Sequence, residues 1–415
     1  MGSIVKIAFV YLNGERNVGR GAGYIASVIL NAGYSLTFFD TVYKDLKQVS
    51  SEILANNYDI LLISASTLFY KQAKELAKEI KLKNKNISIL LGGAHATILR
   101  EKILIDCSDF DYLCVGEGEK FILEFLKNYG TDDLFKIKNL VYWNKEGSVV
   151  GPTCNSEENS LNEPTNLNDL PKFRYDLFSP FSIVLNSPLP GFSYVFSTRG
   201  CPYNCSYCCN SYYLSIYKKG FLRKRSVDDV IEELKYLKET YRTKIFYFGD
   251  EMILFDKEYV TELFNKVKNE IGLPYGCMAR VENINTDVVE LFKSTGCKYV
   301  GMGIECGDEQ FRKEFLNRHM SNEKIIESFR LIRTIPGIMI TSYNMHGYPV
   351  DYDDRLLIET KKLNDIIKPD IMQMSLFFPF PGTKLYDYCI ENNLIDYDKL
   401  NGMTEYFTKS VLRGH

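Results

Sequence analysis

Short apolar runs that alternate with amphipathic helical stretches constrain the first third of this 415-residue sequence more than any other feature. Each run is rich in Ile, Leu, Val or Phe and is bounded by turn residues, as expected of parallel strands buried on both faces. The runs are Val5–Leu12, Leu36–Asp40, Asp59–Ile63, Ile87–Leu91 and Tyr112–Val115. Lys71–Lys83 has the clearest helical spacing between them. The pattern predicts a flavodoxin-like (Rossmann-type), doubly wound α/β domain over residues 1–143, with ligands beyond the carboxyl ends of its strands.

A second series of strands and helices begins at Tyr194. Its strand candidates are Tyr194–Thr198, Lys244–Gly249, Tyr275–Ala279, Tyr299–Ile304, Ile338–Asn344 and Ile371–Phe377. Helical patterns separate these runs, notably at Val227–Thr240 and Lys257–Ile271. Six such units predict a (β/α)6 partial TIM barrel over residues 191–394, with functional groups at the C-terminal ends of the strands.

Residues 144–190 differ from both series, because they are rich in Gly, Pro, Asn and Ser. We interpret them as a linker between the two domains that has room for short strands of its own. The periodic pattern fades after Leu394, which leaves a short C-terminal tail over residues 395–415.

Composition excludes several classes of function. A net charge of −3 without a basic run argues against a nucleic-acid partner bound mainly through phosphates. No stretch reaches the roughly 18–20 apolar residues that a transmembrane helix needs, and no signal peptide is evident. Eleven cysteines without secretion signals indicate a reducing compartment, where clustered thiols more often bind metal than form disulfides. We therefore expect a cytoplasmic protein.

Three cysteines cluster directly after the first predicted barrel strand. Cys201, Cys205 and Cys208 have the spacing C-x3-C-x2-C. Each thiolate can bind a different iron of a cubane cluster, which leaves the fourth iron open to an outside ligand. The alternatives are a chance cluster and a structural zinc site with Cys209 as the fourth ligand. Adjacent cysteines rarely point the same way, so we interpret Cys209 as a packed thiol.

At these residues the sequence resembles the radical S-adenosylmethionine (SAM) superfamily, and the resemblance extends over residues 193–393. It implies a [4Fe–4S] cluster on the three cysteines, whose open iron binds the methionyl amine and carboxylate of SAM. Reductive cleavage of SAM would then yield a 5′-deoxyadenosyl radical. Tyr207, the aromatic residue before the third cysteine, would lie against the adenine.

Charged residues end several predicted barrel strands, where the resemblance implies that SAM binds. Asp250 and Glu251 resemble the amine-binding acidic motif of the superfamily, and a helix N-cap is the alternative for such residues. Arg280, which ends the third strand together with Glu282, is a candidate for binding the carboxylate of SAM. Glu305 is a candidate for the ribose hydroxyls or the amine. A buried ion pair is the alternative for Arg280 and Glu305.

Two loops of the predicted barrel also resemble superfamily segments. Phe378–Thr383 matches a PxPGT segment, which we expect to shape the loop over the site. Gly347-Tyr-Pro349 resembles the start of a GxPGET turn but lacks the Gly-Glu-Thr that would follow. Any role carried by that turn is therefore not transferred to this sequence.

The N-terminal domain resembles the cobalamin-binding module that precedes the barrel in one large group of radical SAM enzymes. The matching segments are Gly19–Tyr24, Asn31–Gly33, Ser64–Thr67, Gly92–Thr97 and Gly116–Glu119. Glycines at strand ends let the backbone approach a bulky ligand, and hydroxyls suit its amide-fringed tail. The candidate cobalamin-binding residues are Gly19, Gly21, Ser64, Ser66, Thr67, Gly92, Gly93, His95, Gly116 and Glu117.

One motif of many cobalamin proteins is missing. The D-x-H-x-x-G sequence, which supplies a histidine beneath cobalt, is absent from this chain. We therefore expect His95 to contact a loop or the cobalamin tail rather than the metal. The alternative is a domain that keeps the fold and binds no corrinoid.

The two resemblances together imply methylation of an unactivated carbon or a phosphinate through methylcobalamin. Radical cyclisation, ring contraction or carbon–carbon coupling without methyl transfer is the enzymatic alternative, and a non-catalytic cofactor-binding protein is the other. The catalytic residues are not identified by the sequence. We expect an external electron donor of the flavodoxin or ferredoxin type and a small-molecule, lipid or peptide substrate. The remaining cysteines are scattered singly and are expected to be inert buried thiols: Cys107, Cys114, Cys154, Cys277, Cys297, Cys306 and Cys389.

Overall fold

The structure, a computed structural model, describes residues 5–14, 17–152, 161–186, 189–350, 354–403 and 409–414. Cys154, one of the thiols expected to be inert, lies outside the described residues, as do parts of the predicted linker and tail. The chain divides into two compact units, Met1–Ile183 and Val184–His415.

The first unit is built on a seven-stranded sheet with the strand order β2-β1-β3-β4-β5-β6-β7. Its strands are β1 (Ile7–Tyr11), β2 (Leu36–Asp40), β3 (Ile60–Ser64), β4 (Ser88–Gly92), β5 (Tyr112–Cys114), β6 (Leu140–Trp143) and β7 (Val149–Val150). The first five strands are parallel, as the sequence predicts. The last two are antiparallel additions, and β6 was not among the predicted strands.

Helices cover both faces of this sheet. They are α1 (Arg20–Asn31), α2 (Leu46–Ala55), α3 (Tyr70–Lys83), α4 (Ala94–Leu99), α5 (Glu101–Asp106), α6 (Gly118–Asn128) and α7 (Pro180–Ile183). Strand β1 shows how the two faces are filled, because its side chains alternate. Ala8 and Val10 belong to one apolar core, and Ile7 and Phe9 belong to the other. A strand that faces two cores needs apolar residues throughout, which explains the continuous runs in the sequence.

Part of the segment interpreted as a linker packs on the first unit. The ring of Phe173 makes an edge-to-face contact with Tyr24 of α1 at 5.1 Å. Arg174 donates its backbone N–H to Ser27 Oγ of the same helix at 3.0 Å. A Cβ at Gly23 would stand 2.2 Å from the Phe173 ring, so only glycine lets the ring approach the helix. These residues are therefore an ordered cover of α1.

The second unit contains a six-stranded parallel sheet with the order β15-β14-β13-β12-β11-β8. Its strands are β8 (Phe192–Val195), β11 (Ile245–Phe248), β12 (Tyr275–Ala279), β13 (Cys297–Glu305), β14 (Met339–His346) and β15 (Ile371–Leu376). A short antiparallel ladder joins β9 (Thr198–Arg199) to β10 (Arg223–Lys224). The predicted (β/α)6 partial barrel is confirmed, with strand ends within a few residues of the expected positions.

Helices follow the strands of this second unit. They are α8 (Asn210–Tyr217), α9 (Val227–Tyr241), α10 (Lys257–Lys266), α11 (Thr286–Thr295), α12 (Glu309–Glu314), α13 (Asn322–Ile332), α14 (Arg355–Ile367), α15 (Lys384–Glu391) and α16 (Tyr397–Asn401). Side-chain oxygens cap several of their N-termini, for example Ser226 for α9 and Asn285 for α11. None of the helices in the described ranges has the length and hydropathy needed to cross a bilayer.

Two glycines of α1 provide a matched test of how the Phe173 ring packs against this helix. Gly23→Ala should lower the free energy of unfolding by about 1–3 kcal/mol, because the new methyl group overlaps the Phe173 ring. Gly21→Ala should raise it by up to about 1 kcal/mol, since nothing lies within 4 Å of the added Cβ and alanine favours the helix. Denaturant unfolding of the two variants measures both changes. Equal effects at the two positions would contradict the packing described here.

Candidate active site

The cysteine-rich segment forms a loop between β9 and α8, at the carboxyl end of the half-barrel. Gly200 begins the loop with φ of +101°, and a Cβ there would stand 2.3 Å from the carbonyl oxygen of Phe221. The far side of the loop is held by Ser206, whose N–H donates to Leu316 O at 3.1 Å and whose carbonyl accepts from Leu385 N at 3.0 Å. The loop is therefore fixed by backbone contacts with three other parts of the unit.

The three predicted ligand residues lie on this loop as free thiols. Cys205 is buried, and Cys201 and Cys208 are half-buried. Burial raises the pKa of Cys201 to about 11, and a hydrogen bond with Cys209 together with burial raises the pKa of Cys208. Cys201 and Cys208 are therefore protonated at neutral pH without a metal, and iron would have to displace those protons.

The three thiols come from one short loop. Among the residues that the structure describes, no three His, Cys, Asp or Glu side chains are close enough to bind one metal ion. The thiolates of a cubane cluster would each bind a different iron, whereas a four-coordinate zinc site would also need Cys209.

Asp250 lies at the end of β11 and is 0% exposed. Its Oδ1 accepts hydrogen bonds from the backbone N–H and the hydroxyl of both Ser197 and Thr198. Burial raises the pKa of Asp250 to about 6, against the lowering effect of those hydrogen bonds. The side chain thus holds the strand that leads into the cysteine loop. Glu251 is exposed as a residue, but burial raises the pKa of its carboxylate.

Glu305 ends β13 in a left-handed conformation, with φ of +70°. The register between β13 and β14 shifts at this point, which marks a bulge that re-aims the side chain. Glu305 Oε1 pairs with Arg318 Nη1 at 3.2 Å, and the side chains are 13% and 5% exposed. Burial raises the pKa of Glu305, and the Arg318 guanidinium partly offsets that rise. The alternative of a buried ion pair is therefore realised at Glu305.

Tyr207 joins the same network. Its hydroxyl accepts a hydrogen bond from Arg318 Nη1 at 3.0 Å, and Arg318 Nη2 donates to Gly303 O at 2.6 Å. Arg318 was not identified in the sequence, because it lies in an irregular segment after α12 and no motif or spacing marks it. A buried arginine that bridges a cysteine-loop tyrosine and a strand-end glutamate is visible only in the fold.

Arg280 follows the end of β12 and also forms an ion pair. Its Nη2 lies 2.6 Å from Glu282 Oε1, and its side chain is 11% exposed. Nη1 lies 3.5 Å from Cys205 Sγ, and the guanidinium carbon lies 3.6 Å from the centre of the Tyr203 ring. A buried guanidinium beside this thiol suits an anionic thiolate-bound cluster.

The candidate cobalamin residues lie at the carboxyl edge of the first sheet. Gly19 precedes α1. Ser64 ends β3, and Ser66 and Thr67 follow it; Gly92 ends β4, and Gly93 and His95 follow it. Gly116 and Glu117 follow β5. Gly93 has φ of +100°, and a Cβ there would stand 2.6 Å from Ala65 O. Gly116 donates its N–H to Thr97 Oγ1 at 3.0 Å. The glycines let the edge loops pack closely, and Gly21 faces open space.

Two of these candidates are engaged by the protein itself. Glu117 Oε2 accepts from the backbone N–H of Thr165 at 2.8 Å, so it also holds the segment that follows the sheet. His95 is 5% exposed, its Nδ1 lies 3.2 Å from Thr67 Oγ1, and its ring centre lies 4.2 Å from that of Tyr70. Within the described residues its Nε2 has no hydrogen-bond partner. The imidazole is therefore packed in the unit.

Six cysteines expected to be inert are described, and all six are buried. Two of them are not isolated as the sequence suggested. Cys277 of β12 and Cys297 of β13 are hydrogen-bonded to each other, and this bond and burial raise the pKa of Cys277. They are neighbours because their strands are adjacent, which their spacing in the sequence does not reveal.

Comparison with known families assigns both units. The radical SAM superfamily model matches residues 195–359, and the B12 binding domain model matches residues 16–126. The fold is similar to that of TsrM from Kitasatospora setae, a radical SAM methyltransferase solved with cobalamin and a [4Fe-4S] cluster bound. The TM-score is 0.73 at 15% identity, and the match covers 93% of this chain and 78% of that one.

Two curated relatives align over most of the chain. An uncharacterized methyltransferase of Pyrococcus horikoshii is 28% identical over 385 residues, which cover 90% of this chain and 79% of that protein. The anaerobic magnesium-protoporphyrin IX monomethyl ester cyclase of Rubrivivax gelatinosus is 24% identical over 395 residues, which cover 92% and 68%. These two relatives are therefore named for two different reactions, methyl transfer and cyclisation.

The buried imidazole of His95 should make stability depend on pH. Burial lowers the pKa of His95 to about 4 from its ordinary 6.5. Between these values the unfolded chain binds more protons, so this group lowers the free energy of unfolding as the pH falls from about 6.5 to 4. His95→Gln should flatten that part of the profile in denaturant unfolding of the apoprotein. His319→Gln removes an exposed imidazole and is the control; equal slopes in wild type and His95→Gln would refute the assignment.

Proposed function

We propose that this chain, which belongs to the cobalamin-dependent radical SAM enzymes, replaces an unactivated C–H bond, or the P–H bond of a phosphinate, with a methyl group. One observation carries the proposal: a single chain joins a B12 binding domain to a half-barrel that bears three free cysteines on its first loop. When bound, the cluster supplies the electron that cleaves SAM, and cobalamin supplies the methyl group.

Cys201, Cys205 and Cys208 are the proposed cluster ligands. The backbone contacts of Gly200 and Ser206 fix the loop before iron binds, so the loop needs little further ordering when the cluster binds. Because burial raises the pKa of Cys201, cluster assembly releases protons and should be favoured by higher pH.

The proposed SAM-binding residues are Tyr207, Asp250, Glu251, Arg280 and Glu305. The carboxylate of Glu251 is proposed to accept hydrogen bonds from the ammonium group of SAM. Asp250 acts indirectly, since its hydrogen bonds hold Ser197 and Thr198 in front of the cysteine loop. Arg318, although not predicted, orients Tyr207 and Glu305 together.

The proposed cobalamin-binding residues are Gly19, Gly21, Ser64, Ser66, Thr67, Gly92, Gly93, His95, Gly116 and Glu117. Their backbone and hydroxyl groups offer donors and acceptors at one sheet edge, where ligands of doubly wound folds bind. His95 is neutral at pH 7 and packed against Tyr70, which supports a role in shaping the edge rather than in binding cobalt.

The reaction needs an electron from outside the chain. We propose a low-potential carrier of the flavodoxin or ferredoxin type as the donor, and a small molecule, a lipid or a peptide as the substrate. The alternative is a radical reaction without methyl transfer, such as a cyclisation. It is favoured by the similarity to the Rubrivivax cyclase over 92% of this chain.

Cysteine variants test the cluster assignment. Cys201→Ala, Cys205→Ala and Cys208→Ala should each abolish formation of 5′-deoxyadenosine from SAM, because each removes one iron ligand. Cys209→Ala is the matched control and should retain it. Loss of activity in the Cys209 variant with retention in any of the other three would contradict the assignment.

Product mass separates methylation from the alternative reactions. The holoenzyme, a reductant and SAM carrying a deuterated methyl group are incubated with extracts that contain candidate substrates. Methylation predicts a product in which CD3 replaces one hydrogen atom of the precursor. A product formed with 5′-deoxyadenosine but without the label would support cyclisation or coupling. Absence of any SAM cleavage would support the alternative of a non-catalytic cofactor-binding protein.

A further inference from the structure

Arg280 is held on three sides within the candidate site. Glu282 Oε1 lies 2.6 Å from Nη2, Cys205 Sγ lies 3.5 Å from Nη1, and the Tyr203 ring lies 3.6 Å below the guanidinium carbon. Tyr203 and Cys205 belong to the cysteine loop, whereas Arg280 and Glu282 follow β12. The guanidinium therefore joins the loop to the barrel.

The contacts fix the orientation of this guanidinium. A guanidinium that is only 11% exposed needs a carboxylate partner, and Glu282 already provides one. Stacking on Tyr203 fixes the plane of the fork, so the N–H group towards Cys205 is preorganised. The arrangement directs a fixed positive charge at one cysteine sulfur.

We propose that Arg280 sets the reduction potential of the cluster by donating a hydrogen bond to Cys205 Sγ. This inference rests on the proposed function, because it takes Cys205 as a cluster ligand. Reduction adds one electron from the external donor to the cluster, so its negative charge increases. Hydrogen bonds to ligand sulfurs and nearby positive charge favour the state with the additional electron. Arg280 is thus a positioning residue for the electron-transfer step.

Glu282 has a supporting part in this arrangement. Its carboxylate balances the charge of the guanidinium and fixes its direction. Neutralising Glu282 should loosen Arg280 without removing its positive charge. Loss of the carboxylate charge favours the reduced cluster and a loosened guanidinium disfavours it, so the shift in the potential should be smaller than the shift on removal of Arg280 itself.

The test is an anaerobic redox titration of the reconstituted full-length protein, followed by electron paramagnetic resonance of the reduced cluster in the absence of SAM. Arg280→Gln should lower the midpoint potential by about 59 mV, which corresponds to a tenfold change in the equilibrium for a one-electron couple. Arg280→Lys keeps the charge but not the fork and should shift it less. Arg333→Gln is the control of equal charge change, since Arg333 pairs with Asp370 at 2.8 Å on the surface. It should leave the potential unchanged.

The outcomes separate this inference from the function on which it rests. A wild-type protein that assembles no iron would refute the proposed function itself. A wild-type cluster whose potential is the same in Arg280→Gln would overturn the inference, and loss of SAM binding in that variant would assign Arg280 to the SAM carboxylate instead. If Arg280→Gln fails to retain iron, the comparison of Arg280→Lys and Glu282→Gln with wild type decides. Unchanged potentials in both would overturn the inference.

Discussion

The buried carboxylate of Asp250 ties β11 to the chain that leads into the cysteine loop. Four hydrogen bonds from Ser197 and Thr198 converge on one oxygen, and the residue is 0% exposed. Burial raises the pKa of a carboxyl group, and hydrogen bonds to its charged form lower that pKa. For Asp250 the effect of burial is the larger of the two. Burial of the carboxylate costs free energy, and its hydrogen bonds fix the chain at the point where the cysteine loop begins. These hydrogen bonds hold the residues that lead into the Gly200 turn.

The charged side chains around the cysteine loop suit the chemistry proposed for it. Thiolates and iron–sulfur clusters are negatively charged. Arg280 Nη1 lies 3.5 Å from Cys205 Sγ, and Arg318 Nη1 lies 3.0 Å from the hydroxyl of Tyr207 on the same loop. Each guanidinium has a glutamate partner, Glu282 and Glu305 respectively, so neither is left as an isolated buried charge. The two ion pairs come from different strand ends. They reach one loop because the carboxyl ends of parallel strands meet at one edge of the half-barrel.

The sequence predicted the architecture well, because parallel strands covered on both faces must be apolar throughout, as Ile7–Tyr11 is. The cysteine loop was also predictable, since spacing within one loop is local. Arg318 was not, because its role depends on a long-range approach to Tyr207. The same limit applies to Phe173, which covers α1 from a segment that composition marks only as a linker. Local sequence patterns predict secondary-structure elements, whereas contacts between distant segments are visible only in the folded structure.

The most direct test of the central claim is metal analysis of the protein purified anaerobically with hydroxocobalamin, with visible spectroscopy. The account predicts about one cobalt with about four irons and four sulfides per chain, the content of one corrinoid and one cubane cluster. Four irons without cobalt would preserve the radical SAM site and contradict methyl transfer from cobalamin. Absence of both would contradict the account as a whole.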